Sequence, residues 1–489
     1  MPGWLRASSG SSSSGGAAGD QHQPMAAPDE LPRHCLADAR GRAGDDGRSV
    51  VAGCWKGHRV TLPRHATMLR VKVRLTPVDA QLYWMSAKIP NDQFLLYAFA
   101  GRPADMDEAV AEVLARARSC PELQVRVEDG FSPTYPAWVR RDADASQVVT
   151  RVGEVGWQDC LDAVARLADH QLDLRRWAWR LHVFAPVVGV PGADPATVVV
   201  VQVGHALGDG IRSAALAGAL LGRRAAVPAP ARGGANGGFL RRAVVASRAH
   251  GQLQRDTVAG LVPPPAPPRP VLSTNTRPGG VRLARTLTRR RWQLPGPTVT
   301  VGVLAALSAA LSGYLRDRGE DATSLGAEVP MAKPGVRLAN NHFGNVAVGL
   351  HPGVGPADER MRLIAGELAE RRRRGEHPAF HTGDLALLAV PAPLLRWGVA
   401  RFDADARSPV VTANTVVSSV NRGPADLRFG GLPVVLTAGY PALSPMMGLT
   451  HGVHGIGDTI AISVHAAASA IADVDDYTDR LDAALPDRS

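Results

Sequence analysis

Apolar residues recur along this 489-residue chain in two rhythms, one of strands and one of helices. Thr197–Val203 reads T-V-V-V-V-Q-V, a continuous β-branched run that predicts a strand covered on both faces. Phe94–Ala100 and Trp179–Phe184 read as further strands. Met106–Ser119 places apolar side chains at Met106, Val110, Val113, Leu114 and Ala117, the spacing of one helix face. Trp157–Leu167 predicts a second helix. Further on, Val299–Arg316 and Ala357–Arg373 read as helices, and Val410–Val420, Leu432–Ala438 and Thr459–Val464 as strands. A closing helix falls at Val474–Leu485. The order predicts a mixed α/β protein in two comparable halves.

The rhythm breaks twice. Residues 1–48 contain a Ser/Gly-rich run that cannot bury enough apolar surface to fold, and they read as a disordered tail. Residues 223–281 hold P-A-P-A-R-G-G-A-N-G-G and V-P-P-P-A-P-P-R-P, with a helical stretch at Phe239–Leu261 between them. Proline runs stay extended, so this segment reads as a linker between halves at residues 70–222 and 282–488. The first residues lack the apolar core of a secretory leader. No stretch has the roughly 20 unbroken apolar residues of a membrane span. Val299–Leu315 comes nearest and reads as a buried helix. Leu385–Phe402 is broken by Pro391 and Pro393, and reads as a core helix pair or as a surface touching lipid or an apolar substrate.

Charge changes this picture little. The formal net charge of +10 invites an anionic partner. However, only Lys56, Lys72, Lys88 and Lys333 are lysines, and the arginines are scattered apart from Arg289–Arg291 and Arg371–Arg374. No zinc-finger or RNA-binding motif accompanies them, so nucleic acid is not the expected partner. Anionic lipid or a phosphate-bearing substrate is a better use of the charge. Arg371–Arg374 closes a helix, where cations complement the dipole, and reads as a solvated face. Four cysteines in so long a chain exclude a disulfide scaffold; Cys35, Cys54, Cys120 and Cys160 show no CxxC spacing, so neither a zinc ribbon nor a thioredoxin-like site is expected, and a reducing cytoplasm fits. His451, His454 and His465 lack a supporting carboxylate or cysteine pattern, so no metal is expected, and their segment reads as a loop plus a strand.

Candidate chemistry gathers at residues 198–222. The buried strand ends at Gly204-His205-Ala206-Leu207-Gly208-Asp209-Gly210, and a helix follows. An imidazole is thereby set at the C-terminal end of a central strand, where open sheets hold their ligands. A neutral imidazole there is suited to take a proton from a hydroxyl or amine. Gly208 and Gly210 give the turn room that a Cβ would obstruct. Asp209 can orient His205, or it can pair with an arginine and stiffen the turn; its place at a helix start favours the second.

This string resembles the HHxxxDG signature of the wax ester synthase/diacylglycerol acyltransferase family, within the chloramphenicol-acetyltransferase-like superfamily. Other pieces follow in order. Leu75-Thr76-Pro77-Val78-Asp79-Ala80 is similar to the family's L-S-P-x-D-A, and Trp177-Ala178-Trp179 to its P-L-W. Asn341-His342-Phe343-Gly344-Asn345 resembles N-x-x-G-N, and Ser418 through Pro424 resembles S-N-V-x-G-P. Gly439-Tyr440-Pro441 through Ser444-Pro445 resembles the later Y-P-x-S-P segment. Here the first motif histidine is Gly204, the family's T-V-N-D is Thr298-Val299-Thr300-Val301, and its S-N pair is Ser418-Ser419.

The resemblance implies two pseudo-symmetric α/β domains with mixed sheets and a tunnel between them. It implies His205 as general base, with Asp209 and Gly210 completing the catalytic motif. Acyl-CoA would serve as co-substrate and a lipid alcohol or diacylglycerol as acceptor, with no metal or other cofactor. Asn414, Thr415, Ser418 and Ser419 become candidates for oxyanion or substrate contacts, and Gly204, Gly208 and Asn345 for motif scaffolding. A cytoplasmic enzyme, peripheral at a membrane or lipid-body surface, is the expected setting. Two alternatives stand beside it. One is an acyltransferase or condensation-type enzyme with another acceptor or a carrier-protein donor. The other is a non-catalytic lipid-binding relative.

Overall fold

The computed structural model describes residues 72–130, 133–231 and 238–485. The tail expected at residues 1–48 lies outside them. Twelve strands build two six-stranded sheets: β1 (Gln93–Ala100), β2 (Val148–Gly156), β3 (Trp179–Val188), β4 (Ala196–Val203), β5 (Arg282–Arg290), β6 (Gly326–Ala332), β7 (Phe343–Gly349), β8 (Thr415–Asn421), β9 (Arg428–Phe429), β10 (Leu432–Gly439), β11 (Leu449–Ile456) and β12 (Thr459–Ala467). The helices are α1 (Pro77–Met85), α2 (Met106–Ser119), α3 (Trp157–Leu167), α4 (Gly210–Leu220), α5 (Phe239–Val258), α6 (Val299–Arg316), α7 (Ala357–Gly375), α8 (Pro378–Leu387), α9 (Ala392–Arg401) and α10 (Val474–Ala484).

The first sheet runs β9-β10-β1-β4-β3-β2, antiparallel except for β2 with β3. The second runs β7-β6-β8-β11-β12-β5, parallel only where β8 meets β6 and β11. This is the mixed α/β architecture that the alternating pattern predicts. All eight residues of β4 are buried, as its unbroken apolar run requires. Val199, Val201 and Val203 face a core that includes Val113 and Leu114 of α2 and Leu216 and Leu220 of α4. Val198 and Val200 face the other way, toward Cys160, Leu161 and Val164 of α3 and toward Ala284 and Ala461 of the second sheet. The two sheets therefore meet behind β4.

The halves are interleaved in space although they are sequential in the chain. β9 and β10 leave the C-terminal half and extend the first sheet beside β1, with Thr437 opposite Tyr97. Arg422, just past β8, fastens this crossing. Its guanidinium donates to Ala438 O at 2.8 Å and to the Thr437 hydroxyl, and sits 5.2 Å from the Tyr97 ring centroid. It is 5% exposed and is held by carbonyls and a ring face in place of a carboxylate.

Four sequence readings change. The strand expected at Val410–Val420 is a short strand at Val410–Val411 followed by β8. Between them Asn414 turns inward to bond Pro270 O and Asn275, which interrupts the ladder. The His-rich segment forms most of two paired, buried strands, β11 and β12, where a loop plus one strand was expected. Its glycines and histidines mask its burial in the sequence. Residues 238–281 of the expected linker are docked on their C-terminal neighbours: Arg242 of α5 donates to Leu385 O at 2.9 Å, and Arg374 to Pro263 O at 2.8 Å. Arg371 and Arg374 thus hold the proline run, and Arg371 is only 8% exposed, whereas Arg372 and Arg373 keep the solvated face expected. The broken segment at Leu385–Phe402 falls on two helices bent by 100°. Among the described residues α6 alone is by itself long and apolar enough to cross a membrane, and it lies inside the C-terminal core.

Leu436 lies fully buried on the crossing strand β10. Leu436→Ala is expected to cost about 2–5 kcal/mol, the range for a truncated core leucine. Urea unfolding of the full chain checks this. A loss under about 1 kcal/mol would mean that the crossing strand carries little of the packing.

Candidate active site

The site is built where β4 runs out of sheet. His205–Leu207 forms one 3-10 turn, and α4 begins at Gly210. Gly208 is in extended backbone, so space rather than a left-handed φ demands glycine there: a Cβ would lie 2.8 Å from the Arg212 side chain. A Cβ at Gly210 would meet Val420 of β8 at 3.2 Å, which marks how closely the halves approach beside His205. Gly204, where the family motif has its first histidine, faces Leu174, and a Cβ there would come within 2.3 Å of Leu174 Cδ2. Leu174 has filled that place.

The His205 ring is engaged from the C-terminal half. Nδ1 lies 3.0 Å from Asn341 Oδ1, and Phe343 stacks on the ring at 5.8 Å. Burial pushes the imidazole below its ordinary pKa, against the opposing pull of its own carbonyl, Asn341 and Asp209. Asn341 Nδ2 donates to Asp79 Oδ1 and to His205 O, both at 2.9 Å. Asp79 sits on α1, capped by Thr76, and its carboxylate also accepts from the backbone of Asn340 and Asn341 at 3.0 and 3.1 Å.

Asp209 makes no hydrogen bond to the His205 ring. It caps α4 by accepting from Arg212 N at 3.0 Å, accepts from His342 N at 2.8 Å and pairs with Arg337 at 2.8 Å. Two carboxylates of the N-terminal half therefore grip one turn of the C-terminal half, residues 337–342.

The second-half candidates separate. Asn414 is fully buried and spent on Pro270 O, Asn275 Oδ1 and Gly326 N. Thr415, also fully buried, bonds His451 Nδ1 at 2.9 Å and Leu449 O at 3.1 Å. Ser419 bonds Thr300 at 2.8 Å. Its neighbour two places back, Val417, faces the C-terminal core, so strand alternation puts Ser419 on that side too. Those three are corrected from contact candidates to scaffold. Ser418 shares a face with Val420, toward Gly210 and the N-terminal half. Asn345 lies on β7, exposed and opposite Pro330. Asn341 and Asp79 were read only as motif members in the sequence; their spacing from His205 gives no sign that they converge.

His451 and His465 are held by hydrogen bonds inside the second sheet, to Thr415 and Tyr477 and to Pro441 O respectively. No cluster of three or more His, Cys, Asp or Glu able to hold a metal occurs among the described residues. A cavity of about 190 Å³ opens beside the start of β1, with Lys88, Asp92, Arg277, Arg282 and His465 in its wall. The neighbouring Gln93 side chain reaches the Gly208 carbonyl of the His205 turn.

Breaking the Asp209–Arg337 pair leaves a partly buried cation and an uncapped helix. Asp209→Ala is expected to cost about 2–4 kcal/mol, read as a fall in the urea midpoint. Stability within about 1 kcal/mol of wild type would mean that the pair is not what holds the turn.

No curated protein matches the chain. Among solved structures, the wax ester synthase/diacylglycerol acyltransferase from Marinobacter aquaeolei VT8 superposes with a TM-score of 0.56 at 18% identity, over 84% of this chain and 98% of that one. The trichothecene 15-O-acetyltransferase from Fusarium sporotrichioides gives 0.51 at 13% identity, over 85% and 94%. Both likenesses speak to the fold, a two-domain acyltransferase architecture. Residues 339–487, which hold Asn341 and all of β8 through α10, match the WS/DGAT C-terminal domain. The chain thus carries a WS/DGAT C-terminal domain at residues 339–487, within a fold shared with two-domain acyltransferases.

Proposed function

We propose that the protein moves a long-chain acyl group from acyl-CoA to a lipidic alcohol or diacylglycerol, with His205 as general base. One observation carries the reading. An imidazole with a lowered pKa stands at the end of the central buried strand, where the halves meet, and among the described residues no carboxylate bonds its ring. Such a group is unprotonated near neutral pH and ready to accept a proton.

The base takes the acceptor's hydroxyl proton as its oxygen attacks the thioester carbonyl. The tetrahedral oxyanion collapses, the C–S bond breaks, and the imidazolium returns the proton to the departing sulfur. No serine or cysteine bonds the His205 ring among the described residues, which favours direct transfer over an acyl-enzyme. Cys120 and Cys160 are poor thiolates, pushed up by burial to about 11 and about 12. Ser418 is the remaining oxyanion candidate from the second half. The cavity beside β1, with Lys88, Arg277 and Arg282 in its wall, suits the phosphate-bearing end of a CoA thioester. A peripheral lipid contact belongs to the same proposal. Leu394 and Trp397 are 43% and 57% exposed on α9, beside the exposed Arg396 and Arg401.

The test is CoA release from palmitoyl-CoA with hexadecanol or diolein, followed with a thiol reagent. Acceptor-dependent release that falls by at least about 100-fold in His205→Ala is expected. Equal release from both proteins would make His205 a scaffold residue and overturn the mechanism. The lowered imidazole pKa adds a sign. Activity needs the bare ring, so kcat/KM should hold as pH falls to about 6.5 and decline only below it. An acid limb centred above pH 7 would contradict a desolvated base.

A further inference from the structure

A neutral imidazole carries its proton on one of two nitrogens, and only the bare one can act as a base. At His205 that choice is made by an amide whose own orientation is fixed. Asn341 Oδ1 faces His205 Nδ1 at 3.0 Å. The amide cannot turn round and offer its NH2 to the ring without loss. Nδ2 already donates to Asp79 Oδ1 and to the His205 carbonyl, at 2.9 Å each, and neither oxygen could be satisfied by Oδ1. With an acceptor opposite it, Nδ1 must hold the proton.

The lock has a second tier. Asp79 is 1% exposed, and its oxygens meet four donors: Thr76 Oγ1 at 2.8 Å, Asn340 N at 3.0 Å, Asn341 N at 3.1 Å and Asn341 Nδ2 at 2.9 Å. Three of these donors are N–H groups, which cannot accept, so the carboxyl meets Asn340 and Asn341 as an acceptor. Burial is the larger effect and raises its pKa, with the four bonds pulling against it.

Resting on the reading of His205 as base, we propose that Asn341 and Asp79 are positioning residues that hold His205 as its Nδ1–H tautomer and leave Nε2 as the atom that takes the acceptor's proton. His205 and Asp79 belong to the N-terminal half and Asn341 to the C-terminal half. The base is therefore set only when the 337–342 turn is docked between Asp79 and Asp209.

The competing account is that His205's own carbonyl, which also faces the ring, holds the tautomer unaided. Nitrogen-15 NMR of histidine-labelled full-length protein separates the two. The His205 signals are identified by their loss in His205→Gln. In the wild type near pH 7.5, a pyrrole-type Nδ1 and a pyridine-type Nε2 are expected; the reverse pattern overturns the proposal without recourse to any variant. Asp79→Asn removes the carboxylate that fixes Asn341, and Asn341→Ala removes the acceptor. Both should move the proton toward Nε2 and lower kcat/KM by at least about tenfold. Simple loss of packing would lower kcat/KM without moving the proton from one nitrogen to the other. If Asp79→Asn and Asn341→Ala both retain the wild-type pattern, the carbonyl suffices and the lock falls. The nitrogen pattern is read without turnover. An Nδ1–H ring in an enzyme indifferent to His205→Ala would therefore sink the acyl-transfer mechanism and leave the lock standing as structure.

Discussion

The grip of Asp79 and Asp209 on residues 337–342 is the constraint on which the site depends. Each carboxylate is buried in the N-terminal half, and each is satisfied by groups of the C-terminal half as well as its own. Removing the C-terminal turn would leave two buried carboxylates short of partners, which is costly. The halves are thus held in one relative position by polar groups that have no alternative. The same bonds place Asn341 against His205. Docking of the halves and placement of Asn341 against His205 are a single event.

The rest of the interface reinforces that position by other means. β10 joins the first sheet through ladder hydrogen bonds, so a C-terminal segment is part of the N-terminal core. Arg422 ties the end of β8 to β10 and β1 through backbone oxygens. Behind β4 the contact is apolar, with Val198 and Val200 packed near Ala284 and Ala461. The apolar part supplies most of the burial energy, and it tolerates small slides. Directional bonds to Asp79, Asp209 and Arg422 do not, because a shift of about 1 Å takes a hydrogen bond out of range.

The departures from the family motif also have a physical account at two positions. Leu174 occupies the volume that a side chain at position 204 would need, so the lone His205 sits in an apolar wall on that side. At the start of α6, Thr300 bonds Ser419, a short hydroxyl pair where both family motifs have an asparagine. Neither change touches the hydrogen-bond partner of the His205 ring.

By itself the sequence determined the strongly patterned elements and the place of His205. The β-branched run of β4, the 3.6-residue periods of α2 and α3 and the apolar length of α6 each report local burial, which side-chain periodicity records directly. The string from Gly204 to Gly210 placed an imidazole at a strand end for the same reason, since turn and helix signals are local. Tertiary structure alone decided the rest. Thr415 and Ser419 look as available as Ser418 along the chain, but the pleat turns Ser418 toward the other half and Ser419 toward the core. That difference is invisible until the sheet's buried face is known. β11 and β12 were underread because glycine and histidine are poor signals of burial, although both strands lie inside the molecule. The convergence of Asp79, His205 and Asn341, separated by 126 and 136 residues, follows from the docking of two halves, and no local pattern encodes it.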